Sequence, residues 1–354
     1  MGRSDSMEFN YFISTGNIIK EYLDELGISQ KELSERIGIS EKHISNVLKG
    51  KSRLTEKFAL KLEYIFKDIP ASYWLNIESK YREYLARVES DDTLNKENLE
   101  DISKRFHFKE VFKGTNMSVL SQAKEMLKIL KISSYDKFDV AYNNIPVRFF
   151  EDGGEKEAIA IWINLCEEEI DIQNENITDV KYEKSKLKEN LSNFKNIATN
   201  KNLKQSLESC RKLCNKLGIY LVIREAIINC KVRGATTSYN GHPAIYLSLR
   251  FKKHDHVWFA FMHEIGHLLK HYNNDLIISF EDDEIDKIEK ETNQFVRDFF
   301  IDPDDYLDFT NKKDFSLVSI NEFAAKQNIQ SGIVVARLQH DKYIDASSYN
   351  FKRN

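Results

Sequence analysis

Val257-Trp258-Phe259-Ala260-Phe261-Met262-His263-Glu264-Ile265-Gly266-His267-Leu268-Leu269 is the stretch on which the reading of the C-terminal part of this 354-residue chain turns. Apolar residues fill both flanks, so the segment reads as a buried helix. Residues four apart on a helix share a face, so His263 and His267 project together. Two neutral imidazoles converging from one helix suit a tetrahedral Zn2+. Glu264, beside the first of them, is the candidate general base: it can take a proton from a water that the metal acidifies and return it to a leaving amine. Unpaired polar groups in a buried helix are costly, which is a second reason to expect a partner for these three side chains.

A third protein ligand has to come from elsewhere. His271 continues the i, i+4 series, but at about 1.5 Å of rise per residue it stands about 12 Å from His263 along the axis. His254, His256 and His242 are possible outside donors. Glu291 is the better candidate, on an acidic helix expected from Ile285 to about Ile301 and one turn before the anchoring aromatic Phe295. The other carboxylates there, Glu281 to Glu289, read as a solvated face.

Upstream of this helix the pattern is mixed. A helix from Leu203 to Leu217 ends at Gly218, and Ile219-Tyr220-Leu221-Val222-Ile223 is β-branched and aromatic, as a strand would be. Lys231 to Arg250 reads as further strands, turning at Asn240-Gly241, a pair suited to the positive φ angles of a type I′ hairpin. Residues 203–354 are therefore expected to form one α+β domain. Between 89 and 202 the reading is a charged linker, Glu89 to Glu100, and a helical connector with helical patterns at Leu99 to Ile132, Lys156 to Cys166 and Ser185 to Ile197. No cluster in that region demands chemistry.

Residues 16–88 follow a helical period broken at Gly27, Gly38, Gly50 and Pro70. Ser29 and Ser40 each stand where a helix N-cap is needed, on either side of Gly38. The second of these helices, Glu41 to Leu48, can bury Ile44, Val47 and Leu48 while presenting Lys42, His43, Ser45 and Asn46. Helix, glycine turn and polar second helix make a helix-turn-helix arrangement. Lys49, Lys51, Arg53 and Lys57 supply a phosphate-facing edge.

The expected fold class is thus mainly α with a small β-sheet: an N-terminal helix-turn-helix bundle, a helical connector and a C-terminal zincin-like domain. A net charge of −4 argues against a chain coated in nucleic acid and leaves room for a local basic surface. Cys166, Cys210, Cys214 and Cys230 show no Cys-x-x-Cys pair and read as reduced. No apolar run reaches the roughly 18–20 residues of a membrane span, so no membrane association and a cytoplasmic location are expected. Residues 1–15 read as a disordered tail, an expression scar or an alternative start.

Two resemblances sharpen this reading. Asp255-His256-Val257-Trp258-Phe259 through His267, then Glu291-Thr292-Asn293-Gln294-Phe295-Val296 and Asp302-Pro303, resembles the ImmA/IrrE family of metallopeptidases. The resemblance implies His263, His267 and Glu291 as zinc ligands and Glu264 as general base, with Thr292 and Val296 standing where the family has alanines. Ile28-Ser29-Gln30-Lys31-Glu32-Leu33, His43-Ile44-Ser45-Asn46-Val47-Leu48-Lys49-Gly50-Lys51 and Tyr73-Trp74-Leu75-Asn76 resemble the XRE-type helix-turn-helix of HigA-like antitoxins. That likeness implies a homodimer on an inverted-repeat operator of double-stranded DNA. The candidate DNA contacts are Gln30, Lys31, Ser40, Lys42, His43, Ser45, Asn46, Lys49 and Lys51.

The function expected from both is a DNA-binding transcriptional regulator whose zinc-dependent endopeptidase domain cleaves a regulatory protein, either a partner repressor or its own linker. The alternative is a HigA-type antitoxin and autorepressor of a toxin-antitoxin module, whose zinc domain is non-catalytic or a surface for the cognate toxin.

Overall fold

The computed structural model describes residues 13–143, 156–173, 177–249, 253–273, 275–280 and 287–349. Most of the expected 1–15 tail, residues 1–12, lies outside them, as do residues 281–286 of the acidic run. The chain divides into two compact units, residues 1–99 and 100–354. It is mainly helical with one small sheet, as the sequence pattern implies.

The first unit holds α1 (Thr15–Glu25), α2 (Gln30–Ile37), α3 (Glu41–Leu48), α4 (Glu56–Ile65) and α5 (Ala71–Lys96). Ser14, Ser29, Ser40 and Thr55 cap the first four, each accepting from an amide of the first turn. Gly38 closes α2 in the left-handed region at φ +62°. Ile19, Leu33, Ile44, Phe58, Leu62 and Trp74 form the core, all essentially inaccessible to solvent. The expected linker from Glu89 is instead the last two turns of α5. No glycine or proline interrupts Ala71 to Lys96, and i, i+4 pairs such as Arg87–Glu83 favour continuation.

The second unit begins with α6 (Leu99–Arg105), α7 (Phe108–Val111), α8 (Val119–Ile129), α9 (Phe138–Ala141) and α10 (Lys156–Gln173). Next come α11 (Lys184–Glu189), α12 (Leu191–Ala198) and α13 (Leu203–Lys216). Residues 100–202 therefore belong to the same compact unit as 203–354 rather than to a separate connector. The physical reason is plain in α10, where every residue from Ala158 to Cys166 is buried. A helix apolar on all sides is a core helix.

The four strands are β1 (Tyr220–Ile223), β2 (Val232–Tyr239), β3 (His242–Leu247) and β4 (Ile277–Phe280), in sheet order β1-β3-β2-β4. β1 runs parallel to β3, while β2 pairs antiparallel with β3 and β4. Asn240 and Gly241 both take positive φ, +48° and +80°, making the tight hairpin expected of that pair. A bulge between Val232 and Gly234 shifts the β2–β4 register so that Gly234 opposes Ser279. Helix α14 (His254–Lys270) packs on β2 and β3, and its Trp258, Phe261, Met262 and Ile265 are buried in the same core as Leu221, Ile245 and Leu247 of the strands. The remaining helices are α15 (Lys287–Phe300), α16 (Pro303–Asn311), α17 (Leu317–Lys326) and α18 (Ser331–His340).

In the first unit, Gly16 lies where α1 meets α3: a Cβ there would stand 2.3 Å from the Leu48 carbonyl oxygen. Gly16→Ala is expected to destabilise that unit by about 1–3 kcal/mol through overpacking. Calorimetry of the full chain should show one lowered unfolding transition; an unchanged profile would contradict this helix contact.

Candidate functional site

His263 and His267 lie one turn apart on α14 with their Nε2 atoms 3.0 Å from each other. The carboxylate that meets them is Glu289, in the first turn of α15: its Oε2 is 2.8 Å from His263 Nε2 and its Oε1 3.3 Å from His267 Nε2. All three side chains are buried. They form a group of donor atoms mutually within 4.8 Å, suited to a metal ion. Donors about 2.0–2.1 Å from a tetrahedral zinc stand about 3.3 Å apart, and the observed separations of 2.8, 3.0 and 3.3 Å are at or somewhat inside that edge length. Two imidazoles and one carboxylate are also a donor set that zinc accepts.

Glu291, the expected third ligand, does not reach this group. Its half-exposed side chain lies 3.6 Å from His271 Nε2 and 3.8 Å from Lys287 Nζ. Two residues along a helix is about 200° of rotation, so Glu289 and Glu291 face opposite ways. The reading of Glu281 to Glu289 as a solvated face fails at Glu289 for the same reason. Glu289, Thr292, Val296 and Phe300 are the buried residues of α15, spaced three, seven and eleven apart. A carboxylate in register with that stripe was the available signal.

Of the other candidate histidines, His271 lies with its ring 5.6 Å from that of His267 but turns its Nε2 to Glu291, and the rest stay apart from the cluster. His254 is buried against Gln330, His242 Nδ1 lies 3.3 Å from the Gly218 carbonyl, and His256 neighbours Asp255.

Packing explains why α15 can deliver Glu289. At Gly266 a Cβ would stand 2.7 Å from Thr292 Cγ2 and 3.0 Å from Phe295 Cδ1, so only glycine lets the two helices approach this closely. Thr292 and Val296 are accommodated in that interface with no exposure, and Thr292 returns its hydroxyl to the Ile288 carbonyl at 2.9 Å. Asn293 Oδ1 lies 3.0 Å from His263 Nδ1. An N–H donated there fixes the tautomer that leaves Nε2 its lone pair.

The electrostatics follow from burial and pairing. Burial pushes the Glu289 carboxyl up, but hydrogen bonds with His263 and His267 and their charge outweigh it and hold it down at about 2. Burial pulls the His267 imidazole down, and the hydrogen bond with Glu289 plus the charges of Glu264 and Glu289 raise it above its ordinary range. Glu264 is fully buried beneath β2, where its Oε2 accepts a hydrogen bond from Thr236 Oγ1 at 2.7 Å. This partner lies 28 residues away in sequence, and no local pattern points to it.

In the first unit, Gln30, Lys31, Ser40, Lys42, Lys49 and Lys51 are exposed on α2, α3 and their flanks. Ser45, Asn46 and His43 are only partly exposed, His43 with its ring 6.1 Å from that of Phe58. The turn bearing Lys49 and Lys51 is held from α5. Arg82 donates to the Gly50 and Ser52 carbonyls, and the buried Glu78 accepts from the Leu54 amide and from Arg82. The two lysines are therefore carried on a braced loop.

Residues 19–74 match the family profile described as Helix-turn-helix. The match covers α2, α3 and the turn between them, and supports a DNA-binding transcriptional regulator. Comparison with the curated proteins and with the solved structures finds no match.

Zinc affinity, measured by competition with a chromogenic chelator, separates the two glutamates. Glu289→Gln is expected to lose zinc more severely than Asn293→Ala, which should cost about 10- to 100-fold as an outer-shell change. Glu291→Gln should bind like the unaltered protein. Loss of zinc in Glu291→Gln with retention in Glu289→Gln would contradict the assignment.

Proposed function

We propose that this chain is a DNA-binding transcriptional regulator with a zinc-dependent endopeptidase unit that cuts a partner regulatory protein. The observation that carries the enzymatic half is the convergence of His263, His267 and Glu289 with Glu264 on the adjoining position of α14. His263, His267 and Glu289 would hold the ion, and Asn293 keeps His263 in the ligating tautomer. Zinc bound there would supply Lewis acidity toward water and a peptide carbonyl. Glu264 would accept a proton and return it to the departing amine. A purely structural zinc site has no use for such a carboxylate.

The protein's own residues 89–96 make a poor substrate. They are helical, and a carbonyl engaged in helix hydrogen bonds is not free for attack. A second reading, an antitoxin-type autorepressor whose zinc unit does not cut, is favoured by one observation: Glu264 and His267 are wholly buried. A homodimer reading an inverted repeat is consistent with either. Among the described residues no helix is long and apolar enough to cross a membrane.

The two readings part in a peptide-library digestion analysed by mass spectrometry. Zinc-loaded protein should generate discrete cleavages that vanish with chelator and in Glu264→Gln. Zinc-loaded protein that leaves the library intact, or cleaves it equally as Glu264→Gln, favours the non-cutting reading.

DNA binding has its own test. Sites selected from random duplex DNA should contain an inverted repeat. Lys42→Ala, Lys49→Ala and Lys51→Ala should each lower affinity for it and reduce the salt slope by about 0.9 per lost phosphate contact. Slopes identical to that of the unaltered protein would remove these lysines from the interface.

A further inference from the structure

We propose that Thr236 is the positioning residue for Glu264, and that Gly234 is the space that makes this position possible. The inference rests on the metal-assisted reading above and extends it to β2, a strand that carries no metal ligand. Its basis is a one-to-one division of the Glu264 carboxylate. Oε2 is occupied by the Thr236 hydroxyl at 2.7 Å, while Oε1 is buried with no hydrogen-bond partner among the described residues. One oxygen is tethered and the other lies in the room left by Gly234.

The tether is specific. Thr236 is itself fully buried, so water does not compete for its hydroxyl. Its donor satisfies one oxygen of a carboxylate that would otherwise carry two unpaired lone-pair sets in a dry interior. Two residues earlier on the same face of β2, Gly234 lies against the other oxygen: a Cβ there would stand 2.5 Å from Glu264 Oε1 and 2.9 Å from its Cδ. Any side chain at 234 would push the carboxylate out of its place. The strand thus locates Glu264 by a bond at one residue and by room at the next on that face. Opposite Gly234, Ser279 of β4 puts its hydroxyl 3.4 Å from His267 Nε2, so the paired strands lie along the same helix face as the cluster.

The test uses the full-length, zinc-loaded protein and acetohydroxamic acid, which chelates zinc through two oxygens and gives up a proton as it binds. Its affinity reads whether the Glu264 carboxylate is held in place beside the bound ligand. Thr236→Val is expected to weaken acetohydroxamate about tenfold, the loss of one hydrogen bond to a charged group, with zinc content unchanged. Thr236→Ser, which keeps the hydroxyl, should stay within about twofold of the unaltered protein. In a Glu264→Gln background Thr236→Val should have no further effect, because the coupled partner is gone. Should T236V not fold, Thr236→Ala takes its place with the same expectation. Unchanged affinity in the hydroxyl-free variant, or an equal loss with and without Glu264, overturns the inference and leaves the metal site standing. Acetohydroxamate that fails to bind the zinc-loaded unaltered protein overturns it too. Failure of the unaltered protein to hold zinc overturns the metal reading itself, and this inference with it.

Discussion

The cluster of His263, His267 and Glu289 depends on how closely α15 approaches α14. Two imidazoles on one helix are only two-thirds of a site, and the missing donor must come from a neighbour at backbone-limited distance. Gly266 permits that distance, since any Cβ would collide with Thr292 and Phe295. The consequence is a buried space in which two imidazole nitrogens and a carboxylate oxygen crowd within hydrogen-bond range of one another. Lone pairs so arranged repel unless a proton or a cation lies between them. A divalent ion held there would relieve that crowding.

The same unit sorts its carboxylates by direction. Glu289 turns inward and is held ionised by the histidines. Glu291, two residues on, stays at the surface beside His271 and Lys287. Glu264 leans against β2 and is received by Thr236. Three glutamates of similar chemistry thus acquire three environments from helix phase and strand register alone. The first unit applies the comparable logic to cations: the buried Glu78, paired with the half-buried Arg82, braces the turn that carries Lys49 and Lys51.

Much of this was legible where the signal is local. The caps at Ser29 and Ser40, the span of α3 and the Asn240-Gly241 hairpin all depend on a few adjacent residues, and each is found where the sequence places it. The pairing of His263 with His267 is likewise a matter of helical spacing. What escaped were features decided by phase or by distant packing. Glu289 reads as solvated because its neighbours are acidic, although its spacing to Thr292, Val296 and Phe300 puts it on the buried stripe. Residues 89–96 read as a linker because they are charged, yet charge at i, i+4 spacing suits an exposed helix. Helix α10 passed for a connector because it holds no chemical motif, and its role is core. Thr236 could not be found at all, since nothing in a strand's sequence tells which carboxylate it will meet.

X-ray absorption at the zinc edge of the purified, full-length protein addresses the central claim most directly. The account predicts two imidazole nitrogens and carboxylate oxygen at about 2.0–2.1 Å, with no sulfur in the coordination sphere. A sulfur shell at about 2.3 Å, drawn from the buried cysteines, or a spectrum with no imidazole scattering, would contradict it.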